Sequence, residues 1–100
     1  MPVTKNEINN TKSLLTRKGR RADNKFLAEG VRLLEEAVRF RARPEIVYWN
    51  ESMLSPRGLK LVAEFGRMKV PVEALPARFI NTISGTETPQ GLVAVFPQPE

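Results

Sequence analysis

Apolar residues fall in short blocks whose spacing switches between helix and strand periods along the chain. Ile8, Leu14 and Leu15 follow Thr4 and Glu7, which stand at capping-box spacing, and predict a first helix from about Lys5 to Leu15. Thr16-Arg17-Lys18-Gly19-Arg20-Arg21 has no apolar periodicity and reads as a basic loop with a glycine in its middle; Phe26-Leu27-Ala28 then forms a short buried strand. Gly30 opens a second helix with Leu33, Leu34, Ala37 and Val38 on its inner face. Arg32, Glu35, Glu36 and Arg39 lie outside, and Glu35 and Arg39 have the favourable acid-first i,i+4 order.

Pro44 cannot continue that helix, and Ile46-Val47-Tyr48-Trp49 follows as a β-branched and aromatic strand. Ser55-Pro56 is a hydroxyl cap followed by proline, the start of a helix with Leu59, Val62 and Ala63 inside and Gly66 at the left-handed position after its end. Val70-Pro71-Val72-Glu73-Ala74 is a third strand, which its proline confines to an edge or a short ladder. A short helix through Arg78, Phe79 and Ile83 and a loop over residues 84–91 lead to Leu92-Val93-Ala94-Val95-Phe96. That nearly continuous apolar strand suits a sheet centre covered on both faces. The order αβαβαβαβ, without linker or repeat, implies an α/β fold with a mostly parallel four-stranded sheet between helical layers. The tail Pro97-Gln98-Pro99-Glu100 reads as an end or as the beginning of a linker.

One hundred residues, 41% of them hydrophobic, suffice for one domain with one core. The opening residues form no secretory signal and no run spans a bilayer, so a cytoplasmic location without membrane contact is the expectation. Charge sharpens the picture. Residues 1–43 hold 11 Lys+Arg against 5 Asp+Glu, whereas residues 44–100 hold 5 against 6. Lys12, Arg17, Lys18, Arg20, Arg21 and Lys25 face Asp23 alone, so fourteen residues contain the equivalent of the whole net charge of +5. Such clustering points to a polyanionic partner; a solvated, disordered basic run is the bland alternative.

Catalytic chemistry is poorly supplied. There is no cysteine and no histidine, which removes thiolate metal sites, the commonest metal ligand and the usual general base. No Gly-x-Gly-x-x-Gly and no Walker-type Gly-Lys-Ser/Thr occurs, and no serine has a lysine at Ser-x-x-Lys spacing. Glu35 and Glu36 are adjacent on a helix and point apart. The basic run does have a use: arginine and lysine neutralise phosphates and release counterions. Aromatic residues are not interleaved with it, so recognition of folded RNA by shape and phosphate fits better than a stacking platform for single strands.

Three blocks together resemble a known family. Lys12 to Arg21, then Lys25 to Ala37 with Phe26-Leu27-Ala28-Glu29-Gly30, and finally Thr86-Glu87-Thr88-Pro89-Gln90-Gly91 with the strand after it are similar to the N-terminal substrate-binding domain of SpoU-type RNA ribose 2′-O-methyltransferases. The resemblance covers nearly the whole chain. It implies a small three-layer α/β/α sandwich like that of kink-turn-binding ribosomal proteins. It also implies an RNA partner, ribosomal or transfer RNA, and in the full-length parent a trefoil-knotted catalytic domain that binds S-adenosylmethionine and forms a dimer. The motif of that catalytic domain, Asn-x-Gly-x-x-x-Arg, does not occur here, so no catalytic or cofactor-binding residue is assigned. On this reading residues 1–100 form the RNA-binding domain alone and do not make an enzyme by themselves. The expected RNA contacts are Lys12, Arg17, Lys18, Arg20, Arg21, Lys25 and Arg32. Phe26 and Leu27 are expected in the core, Gln90 and Glu87 as struts of their loop, and Gly30 either as a phosphate-facing helix start or as a tight turn. A free-standing RNA-binding module and a protein-interaction adaptor with a basic segment are the alternatives.

Overall fold

The computed structural model describes residues 3–99; Met1, Pro2 and Glu100, on which the readings of the start and the tail partly rest, lie outside them. Helix α1, Lys5–Ser13, begins at the expected capping box: the Glu7 amide donates to Thr4 Oγ1 at 3.1 Å and the Thr4 amide to Glu7 Oε1 at 3.5 Å. The next segment departs from the expectation. Arg17–Asp23 is a second helix, α2, and not a loop. It buries no side chain, so no apolar period marks it in the sequence.

Strand β1, Lys25–Glu29, leads through Gly30 into α3, Val31–Arg39. Strand β2, Ile46–Trp49, is followed by α4, Pro56–Arg67, whose Ser55 cap accepts from the Gly58 amide at 3.2 Å. Strand β3, Val72–Ala74, helix α5, Ala77–Ile83, and strand β4, Leu92–Pro97, complete the chain. The sheet order is β1-β4-β2-β3, with β3 at an edge beside Pro71 as the proline required.

The sheet is mixed rather than mostly parallel. β2 and β3 are parallel, but β4 runs antiparallel to both β1 and β2. The alternation of helices and strands correctly implied that β1, β2 and β3 share a direction. It misled at β4, because seven-residue α5 and the loop after it return the chain to the end of the sheet from which β3 leaves. A continuous apolar run reports burial on both faces, not strand direction. That burial is present: Leu92, Ala94 and Phe96 enter one core with α3 and α4, while Val93 and Val95 enter a second with α1 and α5. Helices therefore cover both faces of a four-stranded sheet.

The buried helix faces match the apolar stripes of the sequence only in part. In α3, Leu34 is fully buried but Leu33 is exposed; in α4, Leu61, Val62 and Phe65 are buried while Leu59 and Ala63 face outward. Glu35 does not pair with Arg39. It bonds Arg57 of α4, and Arg39 reaches Glu36 instead. The Arg57 guanidinium holds the Glu35 carboxyl below its usual range, and Glu35 raises Arg57 in return.

Candidate nucleic-acid interface

The basic segment is built as a hairpin of α1 and α2. The Thr16 hydroxyl donates to the Ser13 carbonyl at 2.9 Å and accepts from the Gly19 amide at 3.0 Å, so one side chain ends α1 and starts α2. Gly19 lies against the last turn of α1; a Cβ there would stand 2.0 Å from the Ser13 carbonyl oxygen. The glycine is needed for close approach of two helices, not for a flexible loop. Asn24, in the left-handed conformation at φ 58°, ends α2 and turns the chain into β1.

The seven expected RNA contacts separate into groups. Lys12, Arg17, Lys18 and Arg21 are exposed on the hairpin, and none forms an ion pair or side-chain hydrogen bond among the described residues. Arg17 and Arg21 are one turn apart on α2, and Arg17 and Lys18 stand in its first turn, at the positive end of the helix dipole. Both placements are electrostatically unfavourable unless an anion approaches. Arg20 turns inward instead: its Nη1 donates to the carbonyls of Leu14 and Leu15, each at 3.2 Å, satisfying acceptors left open at the end of α1. Lys25 is half-exposed with its Nζ 3.0 Å from Glu45. Arg32 is exposed on the first turn of α3, across the sheet from the hairpin.

The segment over residues 84–91 is tied to the sheet end that bears Gly30. The Glu29 carboxylate accepts from the Ser84 hydroxyl at 2.6 Å and the Gly85 amide at 2.7 Å. Gln90 Oε1 accepts from the Val31 amide at 2.8 Å, and the Gly30 amide donates to the Leu92 carbonyl at 3.3 Å. Gly30 has φ 98°, a conformation that favours glycine. The Gly30 and Val31 amides are thus occupied within the protein, and Gly30 makes the tight turn from β1 into α3. Gln90 is a strut, as read from the sequence; Glu87 makes no side-chain hydrogen bond among the described residues. Asn50 was missed. It donates to the Leu75 carbonyl at 2.7 Å and accepts from the Met53 amide at 3.1 Å, pinning the end of β2. A lone asparagine after a strand gives no signal of such a role.

This fold is shared with known proteins. Residues 5–94 match the MRM3-like substrate binding domain. The chain belongs to that family. Its substrate-binding domain is similar to a solved RNA 2′-O ribose methyltransferase at 26% identity and a TM-score of 0.82, over 97% of this chain and 36% of that one. A putative RNA methyltransferase of the TrmH family from Porphyromonas gingivalis is 28% identical with a TM-score of 0.70, over 99% of this chain and 37% of that one. An AdoMet-bound rRNA methyltransferase from Sinorhizobium meliloti, 21% identical over 99% of this chain and 36% of its own, shares the fold at a TM-score of 0.74. The substrate-binding domain thus spans about a third of the length of these structures. No curated protein sequence matches the chain. The SpoU-type resemblance seen in its sequence blocks is the family relationship.

Proposed function

We propose that this domain grips structured RNA, ribosomal or transfer RNA, and presents a ribose for 2′-O-methylation by a SpoU-type catalytic domain in the cytoplasm. The observation that carries the proposal is the set Lys12, Arg17, Lys18 and Arg21: four exposed cations without acidic partners, on a helical hairpin whose packing fixes their spacing. Membership of a substrate-binding family supports the choice of RNA as the polyanion. Arg20 and Lys25, held by backbone carbonyls and by Glu45, are secondary contacts, and Arg32 is a separate point across the sheet.

S-adenosylmethionine requires an enclosed pocket with partners for its adenine and ribose. Two clefts among the described residues do not fit it: one is lined by the ion-paired Glu35 and Arg57, the other by apolar side chains such as Leu33 and Phe40. In our reading the cofactor, the chemistry and the dimer contacts belong to the catalytic domain, and residues 1–100 contribute substrate binding.

Affinity for a folded RNA measured against salt tests the reading. If the four cations meet phosphates, log K falls against log salt with a slope of roughly −3 to −4. Replacing Arg17, Lys18 and Arg21 together with Gln reduces that slope to about −1 and weakens binding. Unchanged affinity and slope in the triple variant would overturn it.

A further inference from the structure

On the face opposite α1, a groove of about 280 Å³ opens between β1 and α3. Its walls are apolar apart from Glu36, which also lines it. Leu33, Ala37 and Phe40 follow one another along α3, and the rings of Phe26 and Phe96 stack beneath them at 5.5 Å between centroids. Phe40 is 75% exposed and Leu33 55%, the two most exposed of the large hydrophobic side chains among the described residues. The backbone fixes Phe40 in place at the end of α3. Arg41 adopts φ 57° after it, and the Ala42 amide closes onto the Ala37 carbonyl at 2.8 Å. Cations surround this aromatic: Arg39, Arg41 and Arg43 against Glu36 alone over residues 36–43. Arg41 has no partner among the described residues. Arg39 shares Glu36 at 3.4 Å, and Arg43 spends its hydrogen bonds on the neutral carbonyls of Met68 and Lys69, which leaves its charge uncompensated.

Resting on the reading of this domain as an RNA binder, we propose that the groove receives one unpaired base of the RNA. The base stacks on Phe40 beside Leu33, and its flanking phosphates meet Arg39 and Arg41. An exposed ring within a basic segment is the combination that holds unpaired bases, the ring supplying a π-face and the cations the backbone contact. A groove of about 280 Å³ between two exposed hydrophobic side chains, Leu33 and Phe40, has room for one planar ring. Position agrees as well. The groove and the α1–α2 hairpin lie on the two sides of edge strand β1, within a molecule whose longest extent is 34 Å, so one RNA can reach both. The inference adds a structural requirement to the substrate: a bulged or looped-out nucleotide near a paired stem.

The test compares two RNA hairpins of matched length, one fully paired and one carrying a single bulged 2-aminopurine. The wild-type chain binds the bulged hairpin more tightly and quenches its fluorescence. Phe40→Ala loses roughly 5- to 100-fold in affinity for the bulged hairpin. It binds the paired hairpin as wild type does, and Phe40→Trp restores both preference and quenching. Because Phe40 is mostly exposed, the alanine variant keeps the fold, which circular dichroism verifies. If Phe40→Ala binds both hairpins as wild type does while the Arg17, Lys18 and Arg21 variant loses both, the base site is overturned and the RNA reading stands. If wild type binds neither hairpin, both are overturned. A wild-type dimer in sedimentation that Phe40→Ala dissolves would assign the groove to a second copy of the chain and equally overturn the base site.

Discussion

Two glycines show how the same residue type serves opposite ends here. Gly66 was read as the left-handed residue after α4, yet it lies inside the helix, which runs to Arg67, and Lys69 takes the positive φ of 66°. The reason is apolar. Val70 and Phe65 are both buried, and the Val70 amide bonds the Phe65 carbonyl at 3.0 Å, so this pair sets where the helix stops. A Cβ at Gly66 would meet nothing within 4 Å, so Gly66→Ala raises stability by about 1 kcal/mol. At Gly19 the same change places a methyl group against Ser13, forces α2 away from α1 and costs about 1–3 kcal/mol. Urea denaturation of the two variants checks both signs; a Gly19→Ala protein as stable as wild type would remove the close helix contact from the account. Both glycines were visible in the sequence, but only their neighbours in space distinguish them.

At the scale of elements, the α1–α2 hairpin is where local reading fell short. The charges of α2 were legible and its helicity was not, since a helix that buries nothing offers no period to detect. Its stability comes from the Thr16 cap and from Arg20 bonding the carbonyls of Leu14 and Leu15. Arg20→Ala therefore lowers stability by about 0.5–1.5 kcal/mol, the usual net worth of a hydrogen bond. Single alanine substitutions of Arg17, Lys18 or Arg21 leave thermal stability unchanged or slightly raised, because each relieves like-charge repulsion. Thermal denaturation of the four variants separates a structural arginine from its neighbours, and equal midpoints for all four would contradict the distinction. The pair Glu35–Arg57 carries a related lesson: local i,i+4 spacing nominated Arg39, but α4 brings Arg57 to the same carboxylate.

Across the whole molecule, two helical layers enclose a sheet whose two central strands, β4 and β2, supply both cores. Tyr48 ties the α1 side to that sheet. Burial pushes its hydroxyl above the ordinary tyrosine range, the polar side chain of Thr11 on α1 working in the opposite direction. The folded value lies above the unfolded one, so the native state retains this proton longer. Its contribution to stability is complete below about pH 10, the unfolded value, and is lost as pH rises through the folded one. Denaturation of wild type and Tyr48→Phe between about pH 8 and 11 checks this: the alkaline loss is shallower in the variant. What the sequence determined by itself was whatever depends on neighbours along the chain or on composition. The Thr4 and Ser55 caps, the period of each strand, the burial of β4 on both faces, the edge position forced by Pro71 and the concentration of cations before β1 all belong there. Tertiary structure alone decided what depends on residues far apart in sequence. It reversed β4 between β1 and β2, turned Arg20 inward, gave Glu35 to Arg57 and occupied the Val31 amide with Gln90. It also left Leu33 and Phe40 open beside β1. A side chain's hydrophobicity states how strongly it avoids water, but only the packed elements determine which apolar residues remain without cover.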